Sequence, residues 1–268
     1  MKVPVVQGVI DRRILVNFQV DPENLGRVLP PSMRPKLVGG MGIGGICLIR
    51  LRHIRPAFLP AGLGLGLRSE NAAHRIAVEW TRDGRTEEGV YIPRRDTSSR
   101  LSTLFGGRLF PGEHHLARFE VEETETHLHV AVRTPAGERL VEVRAEVAPS
   151  LPAESVFPSL AEASSFFEPG FVGYSATRHP GALDGLELRT CSWSVTPLRV
   201  ESIYSRFFED ESAFPPGTVR FDDALLMRNV EHEWHAREPL YCGLEATGHA
   251  ARAVDSRAPW TGSISRRS

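Results

Sequence analysis

Lysine is nearly missing from this sequence. Lys2 and Lys36 are the only two in 268 residues, and arginine supplies the rest of the fixed positive charge. An amine nucleophile therefore has few places to come from, because arginine stays protonated and cannot replace it. Cysteine is scarce as well. Cys47, Cys191 and Cys242 are odd in number, far apart and without a C-x-x-C pair, which argues against a disulfide framework or a thiolate zinc centre. Each reads as a small buried hydrophobe. No apolar run approaches the roughly 18 residues of a membrane-spanning helix. Met1 to Val9 holds one lysine and no long apolar stretch, so no signal peptide is expected and the expected location is cytoplasmic. A net charge of −1 and a pI near 6.8 argue against a nucleic-acid footprint.

What remains is ordinary globular composition, 41% hydrophobic and 24% charged, enough to bury a sizeable core. Asp21-Pro22-Glu23 opens a short helix with Leu25, Val28 and Leu29 on one face, stopped by Pro30-Pro31. Residues 39–54 read as β-structure and 56–66 as a Pro/Gly loop. Asp83-Gly84 is a hairpin signal that pairs residues 74–82 with 89–95. Asp96-Thr97-Ser98 precedes a short helix carrying Leu101, Leu104 and Phe105. Apolar alternation at 119–121, 128–132 and 140–143 gives a three-stranded meander, with a turn at Thr134 to Gly137. Residues 159–167 read as a helix, 186–195 and 198–208 as long strands, and the polar stretch beyond about Arg252 as a frayed tail. The expected architecture is a meander of antiparallel strands with a few short helices, most simply one closed or nearly closed sheet.

Several motifs dissolve on inspection. Gly40-x-Gly42-x-x-Gly45 matches a dinucleotide fingerprint, but Ile46 to Ile49 follows it where a helix is required, so no nucleotide cofactor is expected. His127-x-His129 sits beside a turn and reads as solvated. His232-Glu233-Trp234-His235 is one residue short of a zinc-protease motif. A metal site built from His74, His114 and His115 is the weaker reading, and neither metal nor cofactor is expected. Three segments concentrate unusual residues: Arg68 to Arg75, Tyr91 to Asp96, and Gly106 to His115. Each alone fits a solvated rim; together they point to a shared pocket with convergent polar groups.

Arg12-Arg13 before a strand, Asp21 to Leu25, Val28-Leu29-Pro30-Pro31, Ser69-Glu70, Gly89-x-Tyr91, and Gly107-Arg108 through Phe110-Pro111 follow one another in a telling order. That order resembles the acetoacetate decarboxylase superfamily, well over residues 10–150 and loosely beyond, and in particular a bacterial branch with no assigned chemistry. The resemblance implies one domain over residues 1–268: mainly β, an antiparallel cone-shaped, lipocalin-like β-barrel with a central cavity and a few short helices, in a homo-oligomer. The family's Schiff-base amine is the first lysine of a P-K-K motif. Here Gly112 and Glu113 follow Pro111, so no Schiff-base decarboxylation is expected. A second family carboxylate would fall near Ile49-Arg50 and is missing, whereas Glu70 matches.

These residues lead to a cavity with altered chemistry. Arg75, Arg94 and Arg95 are expected to hold a carboxylate or another oxyanion, with His115 as a further substrate contact; the resemblance adds Arg12, one place from where the family's substrate-orienting arginine would fall. Glu70 is the first candidate acid/base and His114 the second. A non-Schiff-base lyase, hydrolase or isomerase acting on a small anionic organic molecule fits these groups. A barrel that binds such a ligand without turnover is the alternative. No membrane or nucleic-acid partner is expected.

Overall fold

Strand dominates the computed structural model, which describes residues 4–60, 66–105, 112–168, 172–177, 179 and 181–242. The first half contains β1 (Val6–Val20), α1 (Pro22–Arg27), β2 (Met33–Pro35), β3 (Leu37–Val38), β4 (Met41–Pro56), β5 (Leu67–Arg82), β6 (Arg85–Thr97) and α2 (Arg100–Phe105). The second contains β7 (His114–Leu116), β8 (Arg118–Glu123), β9 (His127–Arg133), β10 (Arg139–Val147), α3 (Leu160–Phe167), β11 (Val172–Ala176), β12 (Ala182–Thr190), β13 (Thr196–Ser205) and β14 (Val219–Tyr241). The expected tail and residues 106–111 of the third unusual segment lie outside the described residues.

Local chemistry accounts for the element boundaries. Asp21 caps α1 by accepting the Asn24 amide at 3.0 Å, and Ser159 caps α3 by accepting that of Glu162 at 3.2 Å. Asp83 and Gly84 both take positive φ, 50° and 74°, and turn β5 into β6 as the hairpin signal requires. The two strands pair in antiparallel register, with Thr81 opposite Thr86 and Ala73 opposite Arg95.

Hydrogen-bonded neighbours run β1-β4-β5-β6-β11-β12-β14, and β14 pairs back onto β1, so this path closes into a ring. β14 also pairs with β13 through Thr196 to Leu198, which leads on to β10, β9 and β8 as a flanking layer. The pairing is not wholly antiparallel: β6 lies parallel to both β11 and β7. The strand expected over 186–195 stops at Thr190, and the next stops at Ser205, where Phe207 and Phe208 turn into the core.

Because side chains alternate along a strand, each ring strand has two different faces. Ile14, Val16 and Phe18 of β1 pack against Val130, Val132, Val141 and Val143 of the flanking layer. Leu15, Cys47, Ala77 and Leu225 face the interior, where Phe157, Ala163 and Phe167 of the α3 region meet them. A register shift between Ile10 and Arg12 breaks the β1 alternation once. It brings Ile10 onto the interior face with Arg13 and turns Arg12 outward.

Candidate functional site

The ring encloses a space lined by every one of its strands. One lobe, with an empty volume of about 630 Å³ including its mouth, is lined by Cys47, Ile49, Asn71, Ala73, Arg95, His114 and Trp234 among others. An adjoining lobe of about 560 Å³ shares Cys47, Ala73, Arg95 and Trp234, and adds Arg13, Arg75, Gly173 and Leu188. A third, of about 490 Å³, continues past Arg13 and Arg75 to Lys36, Glu88 and the α3 phenylalanines.

Three arginines point into this space, and none has an ion-pair partner among the described residues. Arg75 is 5% exposed; one Nη donates to Asn17, and its guanidinium lies 4.8 Å from the Phe167 ring centre. Asn17 in turn donates to Asp223 at 2.8 Å. Burial and the adjacent Asp222 push the Asp223 carboxyl well above its usual range, with Asn17 and Arg75 opposing the shift. Arg95 donates through Nε to Ser175 Oγ at 2.9 Å. Burial pushes the pKa of both Arg75 and Arg95 down to about 10, which still leaves them cationic at neutral pH. Arg13 donates through Nε to Cys47 Sγ at 3.2 Å. Arg13 Nη1 and Arg75 Nε are buried without a hydrogen-bond partner.

His114 stands opposite Arg95 in the parallel β6–β7 register and shares its lobe. Burial and Arg95 hold its pKa down to about 4. Nδ1 lies 3.3 Å from the Gly112 carbonyl, which can only accept, so Nδ1 is the donor in that contact. Further along the interior face, His232 is 3% exposed, packs against Trp234, and has no partner of good geometry at either nitrogen. Burial lowers its pKa to about 4.

The other candidates face away. Glu70 stands across from Arg50 on the outer face of β5 and accepts from Arg50 at 2.5 Å and Arg12 at 2.6 Å. Glu123 of β8 reaches the same cluster, 2.7 Å from Arg12, 3.0 Å from Arg50 and 3.1 Å from Arg228. Burial raises the Glu123 pKa, but Arg12 and Arg228 outweigh it and leave a net depression. Arg12, fully buried, is thus neutralised between the ring and the flanking layer. Arg94 points outward onto buried Asp96 at 2.8 Å. His115, opposite Asp96, takes the face away from His114. His74 lies in the interlayer core against Phe207 and Ser205 Oγ. Of the expected set, Arg75, Arg95 and His114 share the cavity; Glu70, Arg12, Arg94 and His115 do not. Among the described residues no group of three or more His, Cys, Asp or Glu side chains could hold a metal.

A family profile described as an uncharacterized conserved protein, DUF2071, matches residues 10–216, most of the chain. The chain belongs to the DUF2071 family. A comparison with curated protein sequences finds no match. Solved structures share its fold at low identity. Acetoacetate decarboxylase from Legionella pneumophila superposes with a TM-score of 0.56 at 13% identity, covering 88% of each chain. The enduracididine biosynthesis enzyme MppR complexed with pyruvate gives 0.58 at 13% identity, covering 91% of each. An acetoacetate decarboxylase-like enzyme from Sphingomonas wittichii RW1 gives 0.56 at 12%, covering 90% of this chain and 93% of that one. At these identities the likeness shows the fold of this DUF2071 chain and nothing finer.

Arg13 and Cys47 are cavity residues that sequence reasoning missed. The adjacent pair Arg12-Arg13 was a usable signal, since neighbours on a strand must part to opposite faces.

Glu70→Gln should therefore act on stability. Weakening the pairing of buried Arg12 should cost about 2–3 kcal/mol in urea denaturation while ligand affinity stays within twofold. The buried histidines give a pH signature. His74, held at about 3, and His114 and His232, at about 4, stay neutral in the fold, whereas in the unfolded chain they titrate near 6.5. A depressed folded pKa makes their contribution complete above about pH 6.5 and lost as pH falls toward 4. Unfolding at pH 5 should take up roughly three protons on these histidines, partly offset by release from Asp223, whose carboxyl pKa is raised in the fold, seen as stability rising with pH between 5 and 6.5. A flat profile there would contradict the placement of these rings.

Proposed function

We propose that the protein binds a small anionic organic molecule, a carboxylate, in the ring cavity, with Arg13, Arg75 and Arg95 as its clamp. The observation that carries this reading is the convergence of three guanidinium groups on one void with no ion-pair partner among the described residues. Fork-shaped donors match a carboxylate, and an arriving anion would relieve the cost of holding those charges inside. In this reading the closed ring is a cone-shaped, lipocalin-like barrel, and its cavity is the ligand chamber. Fold neighbours include a protein complexed with pyruvate, which is consistent with a ligand of that size and charge.

His114 is the acid–base group on the cavity side. Its neutral ring would accept a proton from a bound acid or from water, as a lyase, hydrolase or isomerase requires. Glu70 is withdrawn from that role, because its carboxylate is committed to Arg12 and Arg50. That withdrawal also favours a second reading, a carrier or sensor that binds without turnover. We further read the protein as a cytoplasmic homo-oligomer working without cofactor; exposed Phe58 and Tyr241 are apolar surface that a second copy would cover.

A Schiff base has no support in this geometry. On the resemblance, Gly112 falls at the family's amine position; its φ is 86°, and a Cβ there would come within 2.5 Å of Ser175 Cβ. Lys36 is paired with Glu88.

Thermal shift with matched acids and amides tests the main reading. A small carboxylate at about a hundred times its Kd should add about 2.7 kcal/mol and raise Tm by roughly 5–10 °C. The corresponding amide should leave Tm unchanged, and Arg75→Met should erase the carboxylate effect. Equal shifts by acid and amide would overturn the clamp. Borohydride treatment with keto acids should leave no reduced adduct on Lys36; a mass-mapped adduct there would refute the exclusion of amine chemistry.

A further inference from the structure

We propose that Cys47 is a nucleophile that adds to the double bond of a small α,β-unsaturated carboxylate held by Arg13, Arg75 and Arg95. This rests on the anion clamp proposed above and goes further, by naming the group that reacts and the class of molecule it reacts with.

Cys47 faces the interior of the ring from β4, and both adjoining lobes are lined by it. Its register partner on β5 is Ala73, the smallest residue with a side chain, so space lies open beside the sulfur. Arg13 Nε donates to Sγ at 3.2 Å. Arg75, nine-tenths buried, lines the same lobe, and its Nε has no hydrogen-bond partner among the described residues. A thiol that serves only as apolar filling needs no guanidinium beside it. A sulfur that adds to a carbon does gain from one, because the donor at 3.2 Å lies where charge sits on sulfur as it reacts. Cys191 is exposed, and Cys242 contacts Ser32, so neither shares this setting.

The chemistry balances without any other reactant. The thiol ionises and gives its proton to water. Sγ bonds to the β-carbon, the carbon–carbon π pair moves to the α-carbon and carboxylate as an enediolate, and a proton returns to the α-carbon. The guanidinium groups lie where the extra negative charge develops. Reversal, with loss of the α-proton and cleavage of the C–S bond, returns the thiolate and the unsaturated acid.

The test is charge-selective alkylation of the full chain carrying Cys191→Ser and Cys242→Ser, with iodoacetate against iodoacetamide and mass mapping of Cys47. An attracting clamp should make iodoacetate react at least about tenfold faster than its neutral amide. Arg13→Gln should abolish that preference, and crotonate should protect Cys47 and leave an adduct of its own mass. An unreactive Cys47, or one that prefers iodoacetamide in folded protein, overturns the proposal. Thermal shift with acetate on the same sample separates the two levels: a shift with inert Cys47 sinks the nucleophile alone, and no shift sinks the clamp with it.

Discussion

Strand alternation sends the guanidinium of Arg12 outward into a nest of carboxylates, and that of Arg13 inward, where it pairs with no carboxylate among the described residues. A buried charge is tolerable only when it is paired or can be paired. On the outer face the pairing is complete within the chain. Glu70 and Glu123 tie Arg12, Arg50 and Arg228 together between the ring and the flanking layer. On the inner face, Arg13, Arg75 and Arg95 find amide, hydroxyl and thiol groups, which accept hydrogen bonds but bring little or no compensating charge. One face of the ring is electrostatically finished and the other is not.

The architecture maintains this difference. The register shift at Asp11 exchanges the faces of β1, so apolar Val6 and Ile10 line one end of the interior and Arg13 the middle. α3 brings Phe166 and Phe167 against the other end, where Arg75 lies over an aromatic ring. β14 serves both regions, pairing with β1 and β12 to close the ring and with β13 to hold the flanking layer. Rigid strands thus carry the cavity side chains, and their placement does not depend on loops.

The fold was legible wherever one strand had one partner on each side. The Asp83-Gly84 hairpin, the 119–143 meander and the two helix caps at Asp21 and Ser159 follow from local turn and capping chemistry. β14 was not legible, because its 23 residues serve three different neighbours and no single alternation runs through them. At the site, composition located the right segments but parity was overlooked. Glu70 and Arg75 are an odd number of residues apart, and Arg94-Arg95 and His114-His115 are adjacent pairs. In each case an uninterrupted strand must separate the two. The pairing of Glu70 with Glu123's cluster could not be read at all, since it joins residues 12, 70 and 123 through the packing of two layers.

The central claim is that the inner arginines await an anion that the chain does not supply. A crystal structure grown with a small carboxylate such as crotonate tests it most directly. The expected result is density for the acid between Arg13, Arg75 and Arg95, with carboxylate oxygens within about 3.2 Å of at least two guanidinium groups. Water alone in that space at saturating ligand, or a side-chain carboxylate of the chain itself paired with these arginines, would contradict it.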